Sequence, residues 1–313
     1  MSRLFVVLSV DWEPDKGAWK YPGSEMDYGG IIIGTPAFCR LLDELQIPCT
    51  WFIETSYDPK RDLPGCFPDV VRQLAQRKQD EVGLHIHWRR PAADNSVSYE
   101  TSDISWTNAQ LDHGVRQLDA LGARPKAFRS GALLHVKELP RMLSEKGFLV
   151  DSSTLWGRAN RLKPDKKGFE KKPFLSRMST LLERGFASIP EPYLTHDSDV
   201  EQRGGSGTLE IPITYSLFDT RTFAHGCFSR FLRYKALMAR SARYLMLFFH
   251  IDELTNGATG PDQHTDPDPA MVRHFREHLI SLQKDGAQFL TCSEARTRWL
   301  RDGLAAAQEQ HVN

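Results

Sequence analysis

The chain has no excess of charge of either sign: 40 Lys and Arg residues balance 40 Asp and Glu. A nucleic-acid partner normally needs a basic face, so none is expected. The basic run from Lys163 to Lys172 reads as a solvated loop. No apolar stretch approaches the ~20 residues of a membrane span; the longest candidate, Tyr244 to Ile251, is far too short. Cysteine is sparse and odd in number: Cys39, Cys49, Cys66, Cys227 and Cys292, with no Cys-x-x-Cys spacing. That argues against a disulfide framework and a structural zinc knuckle. Cys49 and Cys292, beside strand-like runs, read as small core residues. There is no internal repeat, no low-complexity tract and no clear domain linker. Ser2-Arg3 leads straight into a strand, so no removable secretory peptide is expected and the protein is read as cytoplasmic.

What is present is a rhythm. Strand-like runs cover Leu4–Val10, Cys49–Ile53, Val82–Ile86, Ala127–Phe128, Phe148–Val150, Leu209–Ile213, Leu245–Phe249 and Gln288–Leu290. Helical patterns separate them. One opens at Thr35-Pro36, with Phe38, Leu41, Leu42 and Leu45 on one face, and another follows Phe67-Pro68. Others are expected over Asn108–Leu121, Leu139–Lys146 with a stop at Gly147, Pro269–Lys284 and Ser293–Leu300. Alternating strands and helices predict a parallel sheet. Seven or eight strands, with no Gly-rich dinucleotide fingerprint after the first, favour an α/β fold that is a closed or nearly closed (β/α)7-8 barrel over a doubly wound open sheet. One barrel domain is expected over residues 1–313. The stretch from Gly157 to Gly207 breaks the rhythm and is expected to be a lid-like insertion on the site side.

Two strands end in chemistry. Ser9-Val10-Asp11-Trp12-Glu13 closes the first, and Gly83-Leu84-His85-Ile86-His87-Trp88 closes the third. Residues two apart on a strand share a face, so Asp11 should project with Glu13, and His85 with His87. Two imidazoles and one or two carboxylates on neighbouring strand ends suit a three-ligand divalent metal site with room for water. Barrel sites lie at the carboxyl ends of strands. Arg129, Asp151 and His250 also stand at or just past strand ends. Taken singly, Arg129 reads as a surface ion-pair partner and Asp151 as a helix cap.

The order of these motifs resembles the NodB-homology polysaccharide deacetylases, carbohydrate esterases of distorted (β/α) barrel fold. Asp11-Trp12-Glu13 looks like that family's first acidic motif. Thr50-Trp51-Phe52 resembles its second strand, and Gly83 to His87 its histidine motif. Arg129-Ser130-Gly131 loosely matches an Arg-x-Pro motif. Asp151-Ser152-Ser153, Glu210-Ile211-Pro212 and Leu247 to His250 resemble the later elements, so the likeness spans roughly residues 4 to 300. There are departures: His-x-His replaces His-x-x-x-His, Glu13 replaces an aspartate, and the arginine motif lacks its proline. With these departures the chain looks like the intracellular, sugar-modifying side of the family.

The resemblance implies a hydrolase that removes an acetyl or formyl group from an amino sugar, with a nucleotide- or lipid-linked saccharide as substrate. The implied cofactor is a divalent metal, zinc first, held by His85, His87 and either Glu13 or Asp11. Asp11 would be the general base, His250 the general acid from the opposite side of the site, and Arg129 the group that orients Asp11; Asp151 joins this catalytic set. Trp12, Trp88 and Trp156 lie near the motifs and are expected to stack on sugar, with plain core or rim packing as the alternative. Two other readings stay open: a metal-independent relative that hydrolyses cyclic amides or ureides, and a non-catalytic carbohydrate-binding barrel.

Overall fold

The structure is a computed structural model that describes residues 4–15, 26–91, 97–136, 138–155, 191–205, 207–216, 243–255 and 267–312. Trp156, Lys163 to Lys172, Cys227 and residues 157–190 of the expected insertion lie outside them. Among the described residues, no helix is long and apolar enough to cross a membrane.

The strands are β1 (Phe5–Trp12), β2 (Thr50–Glu54), β3 (Glu81–Ile86), β4 (Arg89–Pro91), β5 (Val97–Tyr99), β6 (Ala127–Ser130) and β7 (Val150–Asp151). They continue with β8 (Tyr193–His196), β9 (Asp199–Arg203), β10 (Leu209–Glu210), β11 (Tyr215–Ser216), β12 (Tyr244–His250) and β13 (Gln288–Leu290). The curled main sheet has the order β11-β12-β1-β2-β3-β6-β7-β10-β8-β9. Neighbours from β11 to β10 pair in parallel, as the alternating pattern predicts. β13 is not a further stave. β12 takes one edge of β1, and the other is divided between β13, opposite Phe5–Val7, and β2, opposite Ser9–Trp12. The sheet and its helices form the expected distorted (β/α) barrel.

The segment read as lacking regular structure contains two strands. β8 pairs antiparallel with β10, and β9 with β8. This hairpin leans on the helix Leu139–Glu145, where the Arg141 amide donates to the Asp197 carbonyl.

Two cores follow from the two-residue alternation of strands. Val6, Leu8, Val10 and Trp12 of β1 face the helices, in one cluster with Trp51, Ile53, Leu84, Phe128 and Phe249. Phe5 and Val7 face the lumen with Phe52, Ala127, Val150, Leu209 and Met246. Burying each large apolar side chain contributes about 1.5–3 kcal/mol, so a one-residue register slip in β1 would exchange the two sets and is strongly disfavoured.

The helix α1 (Thr35–Leu45) buries Phe38, Leu41 and Leu42, at the spacing of one helical face. It is entered through a π-helical turn, Gly30–Gly34, that the sequence pattern did not announce. That turn packs directly on the Ile251–Thr255 turn after β12. A Cβ on Gly30 would lie 2.5 Å from the Asp252 amide nitrogen, and one on Gly34 2.8 Å from the Ile251 carbonyl oxygen. Backbone meets backbone here, so no rotamer change relieves the clash. The helix Ile104–Asp119 starts earlier than its apolar periodicity suggests, because the Asp103 carboxylate accepts from the Trp106 amide at 3.0 Å. We expect Gly30→Ala to lower stability by about 1–3 kcal/mol, as overpacking does. A denaturant midpoint equal to that of the unchanged protein would show that the two turns are free to separate.

Candidate active site

The alternation that builds the lumen also aims the chemistry. Ser9 and Asp11 follow Phe5 and Val7 on the inner face of β1, and Glu13 lies just past its end. His85 is on β3 and His87 one residue beyond it. Glu13, His85 and His87 are all buried, and their ligand atoms lie within 4.8 Å of one another. The Glu13 Oε2 is 2.7 Å from the His87 Nε2 and 3.6 Å from the His85 Nε2.

The donor set suits a divalent cation. The His85 Nδ1 is 3.0 Å from the Arg129 carbonyl oxygen. A carbonyl can only accept, so this nitrogen carries the ring proton and the neutral ring turns its Nε2 lone pair to Glu13. A lone pair facing a carboxylate is repulsive until a proton or cation lies between them. Outer hydrogen bonds of this kind orient metal-binding imidazoles. Burial disfavours a charged His85, but Glu13 and Asp11 outweigh it and raise its pKa above the ordinary value. For His87 burial prevails over Glu54 and Glu13, and its pKa is lowered. Burial would push the Glu13 carboxyl up; the imidazoles of His85 and His87 beside it instead hold it well below its usual range.

Beside this triad lies a buried ion pair. The Arg129 Nη1 donates to the Asp11 Oδ1 at 2.5 Å. Its other nitrogens donate to the Ser9 Oγ at 2.9 Å and to the Ser152 Oγ and carbonyl oxygen at 3.1 Å each. The guanidinium carbon lies 4.1 Å from the centre of the Phe52 ring. Burial alone would raise the Asp11 pKa, but the charges of Arg129, His85 and His250 bring it below the ordinary value.

His250 is the register partner of Asp11 on the adjacent strand β12. It therefore stands beside the acidic motif and not across the site from it. Its Nε2 is 3.2 Å from the Glu13 Oε1 and 3.6 Å from the Asp11 Oδ2, while its Nδ1 is 3.3 Å from the Glu253 Oε1.

Three expectations change. Trp12 and Trp88 are fully buried and offer no ring face to a sugar. The Trp12 indole donates to the Thr35 Oγ1 at 2.9 Å, and the Trp88 indole to the Ser130 Oγ at 2.7 Å. Both are on the helix-facing side because they alternate with site residues. Asp151 is not brought to Asp11. It pairs in register with Phe128, which faces the helices, while Val150 joins the lumen cluster and Ser152 touches Arg129.

Sequence reasoning missed Ser9, Ser152, Glu54 and Arg61. Glu54 ends β2 opposite His85 and receives two hydrogen bonds from buried Arg61, at 2.8 and 2.7 Å. The parity of Ser9 and the strand-end position of Glu54 were available signals. The loop position of Arg61 gave none.

The sequence matches no protein-family model and no curated protein. Its structure does have solved neighbours. One, described as a polysaccharide deacetylase from Mycobacterium smegmatis, is 15% identical at a TM-score of 0.57, with 95% of this chain and 90% of that one covered. The chain has the fold of the polysaccharide deacetylases. A second such protein, from Pseudomonas aeruginosa PAO1, is 16% identical at a TM-score of 0.52, covering 96% of this chain and 91% of that one. The PuuE allantoinase has the same fold, at 16% identity and a TM-score of 0.54, covering 95% and 89%. In this deacetylase fold the triad, the ion pair and His250 occupy the carboxyl ends of β1, β3, β6 and β12.

Removing one partner of a buried ion pair leaves the other charge uncompensated, at about 3–5 kcal/mol. Arg129→Met should therefore cost about that much in a chemical unfolding titration, whereas a loss below about 1 kcal/mol, the range of a surface pair, would mean that Asp11 is solvated after all.

Proposed function

We propose that the chain is a metal-dependent hydrolase that removes an acetyl or formyl group from the nitrogen of an amino sugar. The observation that carries this reading is the buried Glu13–His85–His87 group, set beside an arginine-held carboxylate and a histidine. The fold shared with polysaccharide deacetylases supports it. The substrate class within this reading is a nucleotide- or lipid-linked amino sugar met inside the cell.

Glu13, His85 and His87 would hold the ion. Imidazole and carboxylate donors suit zinc, and also cobalt, nickel and iron. A divalent ion bound there supplies Lewis acidity, polarising the acyl carbonyl and lowering the pKa of a water.

The chain's own residues carry the protons. Arg129 keeps Asp11 ionised, so at neutral pH its carboxylate is free to take a proton from the attacking water. The same charge makes Asp11 a weaker base; Arg129 sets the balance between availability and basicity. His250, in its protonated form, gives a proton to the amine nitrogen as the carbon–nitrogen bond breaks. In this reading base and acid stand on adjacent strands, with the His250 Nε2 3.2 Å from the Glu13 Oε1. The contact with Glu13 also makes His250 part of the ligand's surroundings, so its loss should loosen the ion as well as slow the chemistry.

A second reading, opening of a cyclic amide or ureide, is favoured by the shared fold with an allantoinase. Two measurements separate the readings: metal content of the purified protein, and amine release from N-acetylated sugars against ring opening of a cyclic ureide. We expect His85→Ala and His87→Ala to abolish both metal binding and deacylation. Asp11→Asn should lose on the order of a hundred- to ten-thousand-fold in turnover, the usual contribution of a positioned base, while keeping the metal. His250→Ala should be hurt more on amides than on activated esters, whose leaving groups need no proton. A His85→Ala/His87→Ala double variant with full activity would sink the metal-dependent reading.

A further inference from the structure

Asp151 and Glu210 form a buried pair that the reaction above does not use. They are register partners on the parallel strands β7 and β10, so their side chains leave the sheet on the same face. Both residues are fully buried. Each carboxyl has one satisfied oxygen. The Ser153 hydroxyl donates to the Asp151 Oδ1 at 2.5 Å, and the Thr154 amide and hydroxyl donate to the Glu210 Oε1 at 3.0 and 2.6 Å. The other two oxygens, Asp151 Oδ2 and Glu210 Oε2, are buried with no hydrogen-bond partner.

Two adjacent buried carboxylates cannot both stay ionised. The charged and titratable neighbours do not change this. Arg129 acts on Asp151 from β6, but its side chain is on the lumen face and is committed to Asp11, Ser9 and Ser152. Tyr193 of β8 opposes Glu210 in register, and the Cys292 thiol is a further titratable neighbour among the described residues. A single proton placed between the two orphan oxygens would satisfy both.

The residues that this pair holds lead to the site. Ser153, bound to Asp151, accepts from the Ser130 amide at 2.9 Å; Thr154 is bound to Glu210. Between Asp151 and Ser153, Ser152 turns to the lumen and grips Arg129, which holds Asp11. We propose that Asp151 and Glu210 share one proton, and that this singly charged, proton-bridged pair is a positioning device that seats Ser152 against Arg129 and so fixes the Asp11 carboxylate.

Burial supports the assignment, pushing the Asp151 carboxyl up to about 7 and Glu210 well above its ordinary value. A carboxyl raised in the folded state contributes stability at low pH that is lost as pH rises through the folded value. For Asp151 that window runs from its ordinary 3.8 to about 7.

The test compares the full chain with Glu210→Gln and Glu210→Ala. Glutamine keeps the shape, never ionises and can donate to Asp151. We expect Glu210→Gln to gain on the unchanged protein in unfolding free energy as pH rises from about 4 to above 7, and to rescue what Glu210→Ala loses. If the pH profiles of Glu210→Gln and the unchanged protein are parallel, no proton is shared and the proposal falls. The kinetic half rests on the hydrolase reading. With an N-acetylated amino sugar, Glu210→Ala should lose on the order of tenfold or more in kcat with little change in KM, since misplacing a reacting group by about 1 Å can cost a hundredfold, and Glu210→Gln should restore most of it. Unchanged kcat in Glu210→Ala would overturn the positioning role. If the unchanged protein deacylates no amino sugar, the hydrolase reading fails, and the pH profile still decides the shared proton.

Discussion

A guanidinium with no solvent exposure ties this barrel together. Arg129 is fully buried, and stripping it of water would cost several kcal/mol if its donors were left unmet. They are met from three strands or strand ends: Asp11 and Ser9 on β1, Ser152 after β7, and the Phe52 ring of β2 beneath it. Its own carbonyl takes the His85 ring proton. One residue therefore neutralises the candidate base, fixes the tautomer of a candidate metal ligand and joins strands far apart in the chain. Once the charge is buried, its partners have little freedom: any one displaced leaves an unsatisfied donor in a low dielectric.

The periodicity of strands accounts for the division of labour around it. In β1 the lumen side carries Ser9 and Asp11 while the helix side carries Leu8, Val10 and Trp12. The apolar half anchors the strand by burial, and the polar half is delivered to the mouth with a precision set by that anchoring. β3 repeats the scheme, with Leu84 and Ile86 outside and His85 within. Glycine supplies clearance where side chains would intrude. Gly30 lets the turn after β1 lie against the turn after β12, and that contact brings the flanks of Glu13 and His250 together. A Cβ on Gly131 would overlap the His87 ring.

Much of this was legible before any coordinates. All eight strand runs and the main helices were readable from apolar periodicity, because most of the stability of such elements comes from the face they bury. The acidic and histidine motifs were readable because residues two apart on a strand share a side. The same rule, carried one residue further, would have excluded Trp12 and Trp88 as sugar platforms, since each alternates with a site residue. Other features had no local signal. β8 and β9 are short and carry no clear apolar alternation; they exist because β10 offers an edge to pair with. The π-helical entry to α1 depends on a backbone contact with residues more than two hundred positions away.

The sequence by itself determined the barrel class, the strand ends that carry chemistry and the donor atoms available there, because those follow from periodicity and residue type. The tertiary structure alone decided who meets whom. It put His250 beside Asp11 and not across from it, turned Asp151 away from the lumen and set it against Glu210. The physical reason is that strand order and register in a parallel sheet are fixed by packing between distant segments, and no short window of the chain contains that information.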